Sequence, residues 1–450
     1  MLKENMKDRK LQTAKKIVNT LRKKGYEAYF VGGCVRDRVM RKIPLDYDIT
    51  TDARAEEVMK LFKKTIPVGV KFGVVIVVEK GIQYEVATFR KDGEYIDGRH
   101  PIAVHFSTSK EDVLRRDFTI NGLLYDPVKK KIIDHVGGKK DIEKKLIRAI
   151  GDPYQRFEED KLRMLRAVRF STRFNFPIEK KTMKAIKDLA PKITEVSAER
   201  IRDELIKIFT GKNSGNGLEL LRRSGLLEIV LPEAVKMAGV KQPPNFHPEG
   251  DVYKHTKLMF DYARNPSPEL AFAILLHDIG KPGTFRIAER IRFDGHTSLG
   301  AKMADGILRR LKFSNDQRTA ITTAIFNHLK FMDVKKMRVN RLKRFMKEPT
   351  FPMELELHRI DCLGSHGKLD NYRFCKRKLK EYSKKKEDLR PKPLINGTDL
   401  IELGYKPGPL FKEILTIVED AQLEKAIKTR GDALRLVAKH FPVVSVKCRE

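Results

Sequence analysis

The hydrophobic pattern of this 450-residue chain changes near residue 150, and the change limits the folds that the chain can adopt. From Tyr29 to Phe89, short runs rich in Val, Ile and Tyr alternate with glycine turns, and Lys80-Gly81 separates two runs as in a β-hairpin. After about residue 150, apolar residues recur with helical spacing. The pattern predicts an α+β protein with a strand-containing head and a long helical remainder.

Proline and glycine signals predict where the helical remainder divides. Asp152-Pro153 is a helix start and Asn175-Phe-Pro177 a helix stop, so we expect one helix that carries Glu158 to Phe170. Further boundaries fall near Pro243-Pro244 and Arg390-Pro-Lys-Pro393. The predicted domains are a catalytic head at 1–150, a neck at 151–215, a body at 216–390 and a tail at 391–450.

The charge of the chain points to a polyanionic partner. There are 93 Lys+Arg against 60 Asp+Glu, which gives a net charge of +33 spread over the whole chain. Such a surplus is typical of proteins that bind nucleic acid. The four cysteines are scattered, the N-terminus lacks an apolar leader, and no apolar run is long enough to span a bilayer. We therefore expect a soluble protein of the reducing cytoplasm.

A group of carboxylates in the head predicts a magnesium site. Asp46 and Asp48 share one face if they lie on a strand, and adjacent carboxylates need a cation between them. Gly32-Gly33 would let the backbone approach a phosphate, which Arg36 could neutralise. Glu85 is a candidate third carboxylate. A surface role for the aspartates and a solvent-facing edge position for Glu85 are the alternatives.

Four motifs in sequence together resemble one enzyme family. They are Gly32-Gly33-x-Val35-Arg36-Asp37 with Asp46-x-Asp48, then Arg115 to Asn121, then Glu159-Asp160-x-x-Arg163-x-x-Arg166-Ala-x-Arg169-Phe170, and Ala198 to Leu205. Their order and spacing are similar to those of class II tRNA nucleotidyltransferases and bacterial poly(A) polymerases. The resemblance implies a polymerase-β-like head with a small mixed sheet, followed by a helical neck, body and tail.

The same resemblance implies an activity and its partners. It implies template-independent addition of C and A to the tRNA 3′ end from CTP and ATP, with release of pyrophosphate by a two-metal mechanism using Mg²⁺. Arg116 and Asp117 resemble residues that grip the nucleotide near the metal site, and the tail would bind tRNA. Neither a membrane nor an obligate protein partner is indicated.

Asp160 and Arg163 form a candidate base selector. Cytosine and adenine present an amino donor beside a ring-nitrogen acceptor, whereas uracil and guanine present a carbonyl beside a ring N–H. A carboxylate and a guanidinium therefore complement C and A and leave unpaired groups against U and G. On one helix these residues would be neighbours, and an ordinary surface ion pair is the alternative. Arg166 and Arg169 continue the stripe, where they could hold triphosphate or RNA.

A second candidate site lies in the helical body. Leu275-Leu-His277-Asp278-Ile-Gly-Lys281 carries the adjacent imidazole and carboxylate that are typical of HD-type phosphohydrolases. Residues that resemble a complete, binuclear ligand set are His255, His277, Asp278, His296, His328 and Asp361. A divalent transition metal suits such nitrogen and oxygen ligands. The resemblance implies hydrolysis of phosphomonoesters or 2′,3′-cyclic phosphates, and the alternative is a metal that only stabilises the body.

The sequence alone leaves open which nucleotides would be added. Residues 89–101 match a flexible loop of the family, which favours full CCA addition or A addition. An A-adding-only enzyme or a poly(A) polymerase is the first alternative. A head that only binds RNA, attached to an HD phosphohydrolase, is the second alternative, and the intact Asp46, Asp48, Asp160 and Arg163 argue against it.

Overall fold

The computed structural model describes residues 2–92, 104–245, 247–383, 389 and 391–442. The chain divides into two compact units. The first comprises Met1–Lys236, Arg264–Pro268 and Ile307–Phe313, and the second comprises Met237–Ala263, Glu269–Gly306 and Ser314–Glu450. The four-domain division stays a prediction, and most of the loop at 89–101 lies outside the described residues.

The described part of the head contains one mixed seven-stranded sheet with the order β3-β4-β5-β2-β1-β8-β9. β2 runs parallel to β5, and the other neighbours are antiparallel. A separate ribbon pairs β6 with β7. The strands are β1 (Ala28–Val31), β2 (Asp48–Thr51), β3 (Thr65–Gly69), β4 (Val74–Glu79), β5 (Ile82–Thr88), β6 (Arg90–Asp92), β7 (Val104–Phe106), β8 (Leu123–Asp126) and β9 (Lys131–Asp134).

The predicted hairpin is confirmed as β4 and β5. Its turn residues Lys80 and Gly81 have φ angles of 52° and 76°, the left-handed conformation that a two-residue hairpin turn requires. Val75 and Val77 are buried, whereas the alternate residues of β4 are half-buried, as the two-residue period of a strand demands. The α+β fold class is also confirmed.

Helices flank the sheet and make up the rest of the first part of the chain. Among the described residues, those up to 235 are α1 (Leu2–Lys23), α2 (Gly33–Val39), α3 (Ala55–Leu61), α4 (Ser109–Leu114), α5 (Gly138–Glu143), α6 (Pro153–Glu159), α7 (Leu162–Phe174), α8 (Lys180–Leu189), α9 (Ala198–Phe209), α10 (Ser214–Arg223), α11 (Leu226–Val230) and α12 (Pro232–Val235). Short 3₁₀ helices cover Val70–Phe72, Thr119–Asn121 and Ala190–Glu195.

The prediction of one continuous helix through residues 158–170 is wrong. α6 ends at Glu159 and α7 begins at Leu162. Asp160 lies between them in an extended conformation, with φ −147° and ψ 102°. Its Oδ1 accepts a hydrogen bond from the backbone N–H of Leu162 at 3.1 Å, which satisfies a donor at the start of α7. The break changes what Asp160 can contact.

The remainder of the described chain is helical apart from one short ribbon of β10 (Arg286–Ile287) and β11 (Ile291–Arg292). α14 (Pro268–Leu276) is apolar on all sides and buried. Its packing therefore fixes the place of the His277-Asp278 pair that follows it. The helices are α13 (Val252–Tyr262), α14 (Pro268–Leu276), α15 (Lys281–Thr284), α16 (His296–Arg310), α17 (Asn315–Asn327), α18 (Val339–Lys347), α19 (Phe351–Gly364), α20 (Asp370–Ser383), α21 (Gly397–Glu402), α22 (Pro409–Leu423) and α23 (Arg430–His440), with a 3₁₀ helix at His328–Asp333.

Two smaller cores stabilise the end of the chain. Phe331, Phe345 and Phe351 lie in one of them, and the other is built around Leu400, Ile414 and similar aliphatic residues. Within the described ranges, no helix has both the length and the apolar character that crossing a membrane requires.

Candidate active site and a second ligand cluster

Two of the three head carboxylates lie on neighbouring strands. β2 and β5 pair in parallel with Ile49 opposite Val86, so Asp48 and Glu85 sit side by side one residue earlier. β2 begins at Asp48, and Asp46 therefore precedes the strand. The prediction that alternation along a strand places both aspartates on one face is wrong in this respect, because Asp46 is in the preceding loop.

The electrostatics of this carboxylate group fit a cation. Desolvation and the charges of Glu85 and Asp46 together raise the pKa of Asp48 to about 6, against the opposing charge of Arg116. Among the described residues, the three head carboxylates do not bring ligand atoms within 4.8 Å of one another. Instead Asp46 Oδ1 lies 3.1 Å from Nζ of Lys10 on α1, which no sequence motif indicated. The head carboxylates carry more negative charge than their neighbours neutralise, and a bound magnesium ion would supply the missing positive charge.

The glycine turn beside these carboxylates has a backbone conformation that residues with a side chain rarely adopt. Gly32 has φ 71° and ψ −127°, a combination that only glycine adopts readily. A Cβ at Gly32 would lie 3.6 Å from Nη1 of Arg116, whereas a Cβ at Gly33 would lie 3.5 Å from Nη2 of Arg36. The turn therefore brings bare backbone next to the Arg116 guanidinium at the edge of the carboxylate group.

Arg36 has partners inside the protein. Its guanidinium donates to Asp37 and to Oδ1 of Asn121, the latter at 2.6 Å, and lies 4.6 Å from the Phe174 ring centroid. Its side chain is buried. A phosphate would therefore have to compete with these partners, and the role of Arg36 toward a nucleotide stays a prediction.

The proposed base selector has a different arrangement from a simple helical pair. Asp160 accepts two hydrogen bonds from Nη2 of Arg200, each 3.1 Å long. Arg163 donates to Glu159 Oε2 at 2.7 Å and to the carbonyl oxygen of Arg115 at 3.0 Å. The break between α6 and α7 is the reason, because Asp160 is extended there rather than helical. Arg200 was part of a sequence motif, but its contact with Asp160 required the tertiary structure.

The other predicted nucleotide-binding residues of the neck are linked to the head. Arg166 Nε donates to Asp117 Oδ2 at 2.9 Å, and Asn121 donates to Oδ1 of the same aspartate at 3.1 Å. Burial acts to raise the pKa of Asp117, but the charge of Arg166 and these hydrogen bonds lower it to about 2. Arg169 donates to Glu204 on α9. These contacts join the second, third and fourth motifs into one assembly.

The histidines predicted as HD ligands come together in the second unit. Nδ1 of His277, His296 and His328 lies 2.9, 2.7 and 2.6 Å from the carbonyl oxygens of Ile274, Phe293 and Ile325, respectively. A carbonyl only accepts, so each Nδ1 carries a proton, and in the neutral ring Nε2 then keeps its lone pair. The Nε2 atoms of His296 and His328 are 3.4 Å apart. This is the protonation pattern of imidazoles that bind metal.

The two predicted aspartates complete the cluster. Asp278 Oδ2 lies 3.1 Å from Nε2 of His277, and its Oδ1 lies 3.6 Å from His296 and 3.8 Å from His328. Asp361 Oδ1 lies 3.1 Å from Nε2 of His255. Two groups with ligand atoms within 4.8 Å result: His255, His277 and Asp361 in one, and Asp278, His296 and His328 in the other.

Unsatisfied polar atoms indicate that the cluster fits a metal. In the described part of the chain, His277 Nε2 and Asp278 Oδ1 are buried without a hydrogen-bond partner. Burial lowers the pKa of His328 to about 4, which favours the neutral ligand form. Burial opposes protonation of His255, but Asp361 and Glu249 raise its pKa to about 9. A metal ion bound by this ring would displace the second proton that the raised pKa favours.

Three residues near this cluster were missed from the sequence. His247 and Glu249 contact His255, and Lys281 Nζ lies 2.7 Å from Asp278 Oδ2. Lys281 is the last residue of the HD segment that begins at Leu275, so its position was a signal. The spacing of His247 and Glu249 is compatible with a loop and carries no signal of its own, so only the fold could bring them to His255.

Three family profiles match this chain. Residues 28–148 match the poly A polymerase head domain, residues 175–237 a probable RNA and SrmB-binding site of polymerase A, and residues 295–438 a putative tRNA nucleotidyltransferase domain 2. The match for the head covers the carboxylates and the glycine turn, and the second covers the segment with Arg200.

Curated relatives extend the match over the chain. The CCA-adding enzyme of Oceanobacillus iheyensis is 47% identical over 209 residues, which are 46% of this chain and 52% of the relative. In the first curated relatives the matched region spans about half of their length. The CCA-adding enzyme of Ligilactobacillus salivarius is 33% identical over 422 residues, 93% of each chain. The chain belongs to the CCA-adding enzyme family.

Solved structures of CCA-adding enzymes share the fold. That of Bacillus stearothermophilus in complex with CTP is 28% identical, with a TM-score of 0.74 over 95% of this chain and 97% of that chain. The Thermotoga maritima CCA-adding enzyme complexed with tRNA is 20% identical with a TM-score of 0.58, covers 95% of both chains, and supports the fold alone. The family resemblance inferred from the four motifs is thereby confirmed.

Proposed function

We propose that this chain adds C and A to the 3′ end of tRNA, using CTP and ATP and releasing pyrophosphate. The observation that carries the proposal is the placement of Asp48, Glu85 and Asp46 beside the Gly32 turn in a head of the CCA-adding family. The excess of positive charge suits tRNA as the acceptor. The four-domain division, with a tail that binds tRNA, is part of the proposal.

Each group of residues in the head would have its own role in the reaction. Asp46 and Asp48, with Glu85 beside them, would hold Mg²⁺, which when bound activates the 3′ hydroxyl and stabilises the departing pyrophosphate. Gly32, which has no side chain, would leave room for the triphosphate. Arg116 would supply positive charge beside it. Asp117, fixed by Arg166, holds Asn121 and the neck in place. The protein thus positions both reactants and needs no covalent intermediate.

Base choice would be made by Asp160 and Arg163. The carboxylate of Asp160 is held by Arg200 and by the start of α7, so an incoming base meets an acceptor in a fixed orientation. Arg163 would donate to the ring nitrogen if a base replaced one of its internal acceptors, which are Glu159 and the carbonyls of Arg115 and Arg156. C and A match this pair and U and G do not.

We expect Asp160→Asn to weaken the preference for C and A. The amide keeps the shape and can still cap α7, but it turns one acceptor into a donor. Losing a hydrogen bond to a charged group costs about 1.5–3 kcal/mol, so kcat/KM for CTP and ATP should fall roughly 10- to 100-fold while that for UTP does not. Single-nucleotide incorporation measures each value. Glu195→Ala is the control, because Glu195 is an exposed neck residue that pairs with Lys161.

The nucleotides added can be determined with three acceptors. tRNAs that end in the discriminator base, in C or in CC are each offered CTP or ATP, and the products are resolved to single nucleotides. Full CCA addition predicts C on the first two acceptors and A on the third. Addition of A alone to the third acceptor would favour an A-adding enzyme, and long A tracts on every acceptor would favour a poly(A) polymerase.

A second function is favoured by the ligand cluster of the second unit. We propose that His255, His277, Asp278, His296, His328 and Asp361 hold a divalent transition metal and hydrolyse phosphoesters, such as 2′,3′-cyclic phosphates at damaged tRNA ends. The inward Nε2 lone pairs and the unsatisfied Asp278 Oδ1 support this proposal. Lys281 would add positive charge near the phosphoryl group.

A further inference from the structure

His255 differs from the other histidines of the ligand cluster in how its outer nitrogen is held. His277, His296 and His328 use the carbonyl three residues earlier in the chain. His255 lies within α13, and its Nδ1 lies 2.7 Å from Oε1 of Glu249, a residue of the loop before that helix. The nearest acceptor for its outer nitrogen is therefore a side chain, with the Gly364 carbonyl as a second and longer contact, whereas the other three rings contact a carbonyl three residues earlier.

The geometry around Glu249 favours a role in orienting His255. Oε1 lies 2.7 Å from Nδ1 of His255 and 2.9 Å from Nδ1 of His247, so two ring nitrogens converge on one carboxylate oxygen. The side chain of Glu249 is 9% exposed, and its Oε2 has no hydrogen-bond partner among the described residues. His255 is fully buried, so solvent does not reach its ring in the unchanged protein. The Gly364 carbonyl, 3.3 Å from the same Nδ1, is a longer alternative acceptor.

The inner nitrogen of His255 faces the other ligands. Nε2 lies 3.1 Å from Asp361 Oδ1 without a hydrogen bond, and the ring centroid is 5.4 Å from that of His277. A proton can occupy Nδ1 or Nε2 of a neutral imidazole, and only the Nδ1–H form leaves Nε2 free for a metal. A carboxylate that accepts from Nδ1 selects this form and makes the ring a stronger ligand.

From this arrangement we infer that Glu249 is a positioning residue: it holds His255 as the Nδ1–H tautomer and directs Nε2 toward the metal group formed with His277 and Asp361. The inference rests on the second proposed function, the metal site. Glu249, His247 and His255 also have ligand atoms within 4.8 Å of one another, so a metal bound by Glu249 itself is the competing possibility. A positioning role for Glu249 and a metal bound by Glu249 itself predict different numbers of bound ions.

The experiment measures metal binding rather than turnover. Full-length protein is stripped with a chelator and titrated with Co²⁺ in excess Mg²⁺, which occupies oxygen sites and leaves imidazoles free. The visible Co²⁺ spectrum reports nitrogen ligation, and the titration gives the affinity and the number of ions. The variants are Glu249→Ala, Glu249→Gln, whose amide oxygen still accepts from Nδ1, and His247→Ala as the control from the same loop.

We expect Glu249→Ala to bind as many Co²⁺ ions as the unchanged protein, with affinity lowered roughly 10-fold or more. Glu249→Gln should recover part of that loss, and His247→Ala should change the affinity less than about threefold, because Glu249 still faces His255. Equal affinity in all variants would overturn the inference, and so would the loss of one whole ion in Glu249→Ala and Glu249→Gln, which would make Glu249 a ligand. If the unchanged protein binds no Co²⁺, the second proposed function itself fails.

Discussion

Asp48→Asn should abolish nucleotide addition while leaving tRNA binding in place. Asp48 begins β2 beside Glu85, and partial desolvation and the neighbouring carboxylates raise its pKa, so it is placed to be the central ligand for magnesium. Its amide cannot supply negative charge. Metal ions contribute several kcal/mol to such reactions, and a loss of about 4 kcal/mol corresponds to roughly a thousandfold lower kcat. Primer extension with CTP and ATP measures the rate.

The same protein should still bind tRNA within about threefold, because affinity for RNA depends mainly on Lys and Arg contacts to phosphate. Asp52→Asn is the matched control, since Asp52 is an exposed aspartate that directly follows β2. It should add nucleotides at the normal rate. Unchanged incorporation by Asp48→Asn, or full activity without divalent ions, would remove the basis of the proposed function.

His277→Ala should empty the metal site of the second unit without affecting nucleotide addition. His277 Nε2 lies 3.1 Å from Asp278 and belongs to the group with His255 and Asp361, so its removal deprives the cluster of a central ligand. Loss of residues that only orient ligands costs 10- to 100-fold in affinity, and loss of a ligand should cost at least about 100-fold. Co²⁺ titration measures the binding, and hydrolysis of a 2′,3′-cyclic phosphate measures the activity.

Addition of C and A by this variant should stay within about twofold, because the head carboxylates and the neck pair belong to the first unit. His440→Ala is the control, since His440 is an exposed histidine of α23. If His277→Ala loses addition and hydrolysis together at an unchanged melting temperature, the two functions do not separate between the two units as proposed. If it retains full metal binding, the ligand assignment is wrong.

Local chemistry was accessible from the sequence because motifs keep their residue types in fixed order. The glycine turn, the hairpin at Lys80-Gly81 and the carboxylates were predicted from short segments, and the HD ligand set from its resemblance to HD-type phosphohydrolases. Turn geometry depends on a few neighbouring residues, and glycine adopts a positive φ more readily than any other residue. The family followed from the combined motifs, and the relatives confirmed it.

What the tertiary structure decided is how side chains far apart in the sequence meet. It interrupted the predicted helix at Asp160 and paired that residue with Arg200, 40 positions away. It brought Lys10 to Asp46 and Asp361 to His255. Propensity acts over a few residues, whereas an ion pair depends on where packed elements place two side chains, and no local pattern encodes that distance. The sequence by itself determined which groups carry the chemistry, and the fold determined which of them hold the others in position.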